Sequence, residues 1–214
     1  MMAPRELSTM ALVVLGLLRE GPKHPYELLR IMRKHHDDLR MPVSVGSIYH
    51  AVERLERTAL AAPVATEREG ARPERTTYAI TDAGRAAHTQ RTRHLLSTLA
   101  REYPAFDVGL SQADALAADD VAALLRERLS TVEDERAGMA AVLDSTVARG
   151  VPRRYLLDAF YELELRGAQI AWLRRTVAEI ESGDLDWSAV PPGTTDPHIH
   201  PVALPATTPT KDHA

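Results

Sequence analysis

The sequence contains no cysteine in its 214 residues. Disulfides, thiolate nucleophiles and cysteine-ligated zinc or iron–sulfur centres are therefore excluded. No apolar run approaches the roughly 18–20 residues needed to span a bilayer, so no membrane-spanning segment is expected. There is no glycine-rich phosphate loop, no nucleophile–base pair and no metal cluster at usable spacing, so nothing points to an enzyme or a cofactor. The apolar stretch Met10 to Leu18 follows Glu6 and stops at Arg19-Glu20. It reads as an amphipathic helix and not as a secretory leader, and a cytoplasmic protein is expected.

What is present is an uneven charge. The whole chain carries 26 Lys+Arg against 30 Asp+Glu, a formal −4. Residues 1–100 hold 15 Lys+Arg against 11 Asp+Glu, and six of the nine histidines. Residues 101–214 hold 11 against 19. Such asymmetry signals a division of labour, with a basic half suited to an anionic partner and an acidic half suited to something else.

Three helices are expected in the first half. Leu7, Met10, Ala11, Val14, Leu17 and Leu18 fit one apolar face, with Ser8 or Thr9 as cap and Gly21-Pro22 as stop. Pro25 suits the first turn of a second helix to about His36. A third runs from about Ser44 to Thr58. Its Val45, Ile48, Val52 and Leu55 form a buried stripe. Ser47, His50, Arg54 and Arg57 repeat that spacing two positions on and form a polar one, tempered by Glu53 and Glu56. Pro63 to Thr66 and Arg75 to Ile80 read as two strands of a hairpin, with Gly70 and Pro73 in a basic tip. Thr81 caps a fourth helix through about Glu102.

Pro104 marks a boundary. A short helix near Phe106–Leu116 is expected, with Ser111 and Asp114 as a capping-box variant. Asp119 is expected to cap a long helix to about Arg149, and a second long helix follows Pro152 and ends at Gly183. Residues 191–214 hold six Pro and five Thr, a composition of disordered chain. Two long amphipathic helices with no sheet to pack on point to self-association. The expected organisation is a winged helix-turn-helix over 1–103, a helical dimerisation domain over 104–185 and a Pro/Thr-rich tail over 186–214. The fold class is mainly α with a small β-hairpin wing.

Residues 7–102 resemble the PadR-type transcriptional regulators. The resemblance rests on Leu12-Val13-Val14-Leu15-Gly16-Leu17-Leu18, on His24-Pro25-Tyr26-Glu27-Leu28, on the run Gly46-Ser47-Ile48-Tyr49-His50-Ala51-Val52-Glu53-Arg54-Leu55-Glu56, and on Tyr78-Ala79-Ile80-Thr81-Asp82-Ala83-Gly84-Arg85. Residues 106–182 resemble, more weakly, the helical dimerisation region of the larger members. Ala59 stands where the family usually has glycine, which implies a different geometry at the end of the third helix. The wing sequence Arg72-Pro73-Glu74-Arg75-Thr76-Thr77-Tyr78 also departs from the usual Gly-Pro-x-Arg/Lys-x-Tyr-Tyr. The resemblance implies a homodimeric regulator, a repressor more than an activator, on a pseudo-palindromic double-stranded DNA operator, with a small aromatic effector in some members.

The candidate DNA-binding residues on the third helix are Ser44, Ser47, Tyr49, His50 and Arg54. Arginine pairs bidentately with guanine, and serine bonds base or phosphate. Tyr49 has a partly inward packing position as its alternative. Arg68, Arg72 and Arg75 are the wing's phosphate candidates, against simple pairing with Glu67, Glu69 and Glu74. Lys23 and Tyr26 are weaker backbone candidates, beside His24, and Tyr26 has a place in the core as its alternative. Tyr155, Phe160, Tyr161 and Trp172 are candidate ligand-binding aromatics, with dimer-core packing as the plainer role. His35-His36 diverge by about 100° on a helix and chelate poorly, and His198-x-His200 lacks a third ligand. Asp119-Asp120 and Glu133-Asp134-Glu135 read as capping and solvated acids, not catalysts. A protein-interaction adaptor built on a winged helix is the alternative function.

Overall fold

The computed structural model describes residues 7–35, 37, 41–67, 75–99 and 104–188. The chain divides into two compact units, Met1–Glu102 and Tyr103–Ala214.

In the first unit, α1 (Thr9–Leu18) starts at Ser8, whose hydroxyl accepts from the Ala11 N–H at 3.2 Å. Its apolar residues Ala11, Val14, Leu15, Leu17 and Leu18 are all buried. α2 (Pro25–Lys34) opens on Pro25, which suits a position where an N–H would lack a partner. The His24 ring caps it, with Nδ1 accepting from the Tyr26 N–H at 3.1 Å. α3 (Val45–Arg57) opens on a reciprocal capping box between Ser44 and Ser47. It buries Ile48, Ala51, Val52 and Leu55. Together with Leu28, Leu29 and Met32 of α2, these residues and the α1 stripe make one core. Burying a side chain of this size contributes about 1.5–3 kcal/mol, so the three helices are held mainly by this cluster.

The end of α3 departs from the expectation drawn from Ala59. Ala59 takes the left-handed conformation itself, at φ 56°. Its N–H donates to the Glu56 carbonyl at 2.9 Å, and the Leu60 N–H donates to the Leu55 carbonyl at 2.8 Å. These two bonds are the glycine-type Schellman stop, reached here with an alanine. The chain then enters β1 (Ala61–Glu67), which pairs antiparallel with β2 (Arg75–Ile80). The register runs from Ala61 opposite Ile80 to Glu67 opposite Arg75, with an irregularity between Pro63 and Ala65. Lys23 exchanges both backbone bonds with Tyr78, at 3.0 Å each, and fastens the turn before α2 to the wing. Thr81 caps α4 (Asp82–Ser97) through the Gly84 N–H at 3.0 Å. Helix α4 thus stops short of the expected Glu102, and Leu96 and Leu99 at its end are 84% and 97% exposed.

The second unit is an antiparallel pair, α6 (Ala118–Ala148) and α7 (Leu157–Ser182), preceded by the short α5 (Ala105–Leu110). Val121, Ala122, Leu125 and Val132 of α6 bury against Ile170, Leu173, Val177 and Ile180 of α7. Ion pairs flank the seam: Arg126 with Glu181, Arg166 with Glu135 at 3.4 Å, and Arg174 with Glu133. Gly150 and Gly183, both at positive φ, follow the two long helices as expected.

Three local expectations are corrected. Ser111 closes α5 and begins no helix, because the chain continues only as a single 3-10 turn over Ala113–Ala115. Asp119 does not cap α6. It lies in the first turn, where its charge suits the helix dipole, and Ala117 holds the cap position without a side-chain bond. Residues Arg153–Tyr155 form a 3-10 turn, so α7 starts at Leu157 and not directly after Pro152. The packing of this unit extends beyond 185, since Trp187 packs on its core and donates its indole N–H to the Leu116 carbonyl at 2.9 Å. Residues 189–214, most of the expected tail, lie outside the described residues, as do His36, His198 and His200.

Candidate nucleic-acid interface

Helix α3 presents its polar side to solvent because four apolar positions hold the other side in the core. At 100° per residue, Gly46, His50, Glu53 and Arg57 fall directly opposite Ile48, Ala51, Val52 and Leu55. The side chains of His50, Glu53 and Arg57 are 85%, 67% and 65% exposed. Glu53 lies between His50 and Arg57, 3.8 Å from His50 Nδ1 and 4.0 Å from Arg57 Nη1. Ser47 and Arg54 sit on one flank and are half-buried, and Tyr49 on the other flank is exposed. The outward stripe is therefore rotated from the one read in the sequence. Ser47 and Arg54 lie beside its centre line, and Glu53 lies on it.

The two serines are engaged with each other. Ser44 Oγ accepts from the Ser47 N–H at 3.0 Å, and Ser47 Oγ accepts from the Ser44 N–H at 2.9 Å. The Ser47 hydroxyl proton goes to the Ser44 carbonyl at 2.9 Å. A serine whose only proton is already donated can still accept a hydrogen bond but cannot donate to a phosphate.

Tyr49 stands edge-on to the His24 ring, with centroids 6.4 Å apart. Both line a groove of about 320 Å³ between α2, α3 and β2, with Glu53, Glu56, Thr76 and Tyr78. Burial holds the Tyr78 phenol above its ordinary pKa of 10.0, reinforced by its hydrogen bond to the Glu56 carboxylate and by the charges of Glu56 and Glu53. Glu56 is thereby tied to the wing. Tyr26 is 65% exposed, so the core alternative for it is excluded.

Lys23 is the clear correction among the candidates. It is only 8% exposed. Its ammonium donates to the Leu17 carbonyl at 3.0 Å and the Gly21 carbonyl at 3.3 Å, and lies 3.8 Å from Glu20. It satisfies the carbonyl end of α1 and is not presented to a phosphate. Arg68 and Arg72 lie outside the described residues. Arg75 opens β2 opposite Glu67 in the strand register.

Arg30, Arg33 and Lys34 were missed by the sequence reading. All three are exposed on α2, at spacings that put Arg30 and Arg33 on the side of Tyr26. The signal was available: Tyr26, Arg30 and Arg33 recur at i, i+4 and i+7, beside the buried stripe of Leu28, Leu29 and Met32.

The four aromatic candidates of the second unit do not gather. Trp172 meets Phe106 edge-on at 6.2 Å, and Arg128 covers the Phe106 ring at 3.7 Å. Phe160 is covered by Arg153 at 3.9 Å, and Tyr155 by Arg154 at 4.5 Å. Twelve residues of helix, about 18 Å, separate Phe160 from Trp172. Tyr161 is 65% exposed.

Three helices with an interior core, a two-stranded hairpin and a closing helix define a winged helix-turn-helix. The family model for the transcriptional regulator PadR-like family matches residues 14–90, and the chain carries a PadR-like domain there. No curated protein sequence matches this chain. Among solved structures it is similar to Bacillus subtilis PadR in complex with operator DNA, with a TM-score of 0.67 and 17% identity over 81% of this chain and 99% of that one. It is similar also to Bacillus subtilis PadR in complex with p-coumaric acid, at 0.64 and 16% over 81% and 99%. A third likeness is to the Vibrio cholerae virulence activator AphA, at 0.61 and 17% over 81% and 99%. At these identities the likeness is one of fold, and it extends over both units. Among the described residues no helix is long and apolar enough to cross a membrane.

Proposed function

We propose that this chain is a cytoplasmic, homodimeric transcriptional repressor that binds a pseudo-palindromic operator through α3 and the wing. The carrying observation is the face of α3: Ile48, Ala51, Val52 and Leu55 are engaged in the core while Val45 of the expected stripe is 51% exposed, and His50, Arg54 and Arg57 are left on a helix anchored at Ser44. Such a helix, of about a dozen residues, fits a major groove. Tyr26 and Tyr49 add hydroxyls beside it, and the wing arginines Arg68, Arg72 and Arg75 supply charge for phosphates. Two copies related by a two-fold axis would address half-sites about 34–36 Å apart. The family match and the fold shared with an operator complex support this reading.

Self-association is supported by apolar residues that the second unit leaves exposed. On α7, Leu157, Tyr161 and Leu165 are 59%, 65% and 47% exposed and lie on the side away from Leu173 and Val177. A second copy is the economical cover for such a seam. Release by a small aromatic effector is supported by the fold shared with a p-coumaric acid complex. Arg-capped Phe160 and Tyr155 with Tyr161 form one candidate contact region, and Trp172 belongs to another.

The test is selection of bound fragments from a genomic library, followed by titration of the recovered site at several salt concentrations. Each phosphate neutralised should steepen log K against log salt by about 0.9. Arg54→Ala should weaken operator binding by about 1–3 kcal/mol if it reads a base. A chain that shows no salt-dependent binding to any duplex would instead be an adaptor. Equal reporter expression with and without the protein would remove the repressor role.

A further inference from the structure

Glu53 is anomalous for a helix proposed to enter a groove lined by phosphates. It lies on the centre line of the outward face, with its side chain 67% exposed. The other acid of this segment, Glu56, is engaged by the Tyr78 hydroxyl. Among the described residues Glu53 has no such bond. His50 and Arg57 approach to 3.8 Å and 4.0 Å, beyond hydrogen-bond length, so the guanidinium offsets its charge and neither side chain occupies its lone pairs. A carboxylate held this way is an acceptor with no donor capacity. It repels the phosphate field wherever it meets no amino group.

We propose that Glu53 is the sequence-discriminating residue of α3, its carboxylate accepting from an exocyclic amino group in the major groove and rejecting sites that present only acceptors there. The inference rests on the DNA-binding reading above. Cytosine offers an amino donor and no adjacent acceptor on that edge, whereas adenine sets its N7 acceptor beside its amino group. Guanine and thymine show acceptors alone to an incoming carboxylate. Cytosine is therefore the matching base. His50 and Arg57 act as positioning residues, one on each side of the carboxylate. The acid lowers affinity for DNA in general and raises the ratio of operator to other sequence.

The experiment runs the full-length chain, Glu53→Gln and Glu53→Asp in parallel through selection from a random-sequence duplex library. Each protein is then titrated against the wild-type-selected duplex and against sheared mixed-sequence DNA. The wild type should enrich a motif with an invariant cytosine in each half-site. Glu53→Gln should lose that preference. It should also bind mixed-sequence DNA about threefold more tightly, as expected for removing one screened like-charge interaction. Its ratio of selected to mixed binding should fall about tenfold. Glu53→Asp keeps the charge and loses reach, so it should lose the ratio without the gain on mixed DNA. If Glu53→Gln enriches the wild-type motif and tightens both duplexes by the same factor, Glu53 merely dilutes charge and the inference fails while DNA binding stands. If the wild type enriches nothing and shows no salt-dependent binding, both fail.

Discussion

The hydroxyl of Thr81 donates to the carbonyl of Ala59 at 2.8 Å, so the residue that caps α4 also holds the left-handed residue that ends α3. The same oxygen accepts from the Gly84 N–H at 3.0 Å, and the Thr81 N–H reaches the Leu60 carbonyl at 3.1 Å. One threonine thus fixes the angle between the candidate recognition helix, the root of the wing and the closing helix.

Ala59→Gly should stabilise the first unit. An L-residue in the left-handed region costs about 1–2 kcal/mol, and glycine's extra freedom in the unfolded chain returns about 0.5–1. A net gain of about 0.5–1 kcal/mol is expected in a denaturant titration monitored by the first unit's signal. A loss would mean that the alanine methyl does something other than strain the turn. Thr81→Ala should cost about 1–2 kcal/mol in the same assay through loss of the cap.

Gly84→Ala should be far more damaging than its size suggests. A Cβ at Gly84 would stand 2.0 Å from the Leu60 carbonyl oxygen and 2.9 Å from Ile80 Cγ1. Backbone cannot be displaced as a flexible side-chain end can, so α4 would have to lift from the root of the wing. The expected loss exceeds about 3 kcal/mol, in the range of severe overpacking. Circular dichroism melts of Gly84→Ala against wild type check this, and an unchanged midpoint would show that the contact relaxes easily.

Lys23→Ala should separate stability from binding. Its ammonium serves the carbonyls of Leu17 and Gly21 inside the fold. Removing it takes this donor from the Gly21 carbonyl and leaves the Leu17 carbonyl with backbone donors such as the Glu20 N–H at 3.2 Å, and should cost about 1–3 kcal/mol. Affinity for DNA, measured well below the melting transition, should stay within about twofold, because the charge is not presented outward. A large affinity loss with a small stability loss would return Lys23 to the interface.

Much of the fold was legible because strong local signals agreed. Thr81 read as a cap, Pro25 as a first turn, and Arg75 to Ile80 as a strand, and each holds in the structure. The capping reading failed at Ser111 and Asp119, where a side chain able to cap stands within one to three residues of a true helix end. Propensity cannot resolve that offset. For the site, helical spacing placed Tyr49, His50 and Arg54 off the core. It could not show that Lys23 turns inward, because that depends on where the end of α1 comes to lie against the turn. Nor did it rank Glu53 above Arg54 on the outward face. That ranking needs the direction of the core, which only the packing of α1 and α2 on α3 supplies.

Stability of the first unit should fall on mild acidification through His88. Its Nδ1 lies 3.4 Å from the Arg19 guanidinium, and its Nε2 faces Gly16, where a Cβ would come within 3.3 Å. Burial, then the charge of Arg19, holds the imidazole below its ordinary pKa of 6.5. The folded state therefore favours neutral His88, which accepts from Arg19 at Nδ1. The unfolded chain takes up the proton first as pH falls. The contribution of this group is whole above about pH 6.5 and is lost as pH drops through the lower folded value. Melting the wild type and His88→Gln at about pH 7.5 and about pH 5.5 checks it, with other histidines and carboxylates common to both proteins. The wild type should lose more of its midpoint on acidification than the glutamine variant, whose amide keeps a hydrogen-bond partner for Arg19 and cannot titrate. Equal losses would show that α4 accommodates a charged imidazole beside Arg19 without cost.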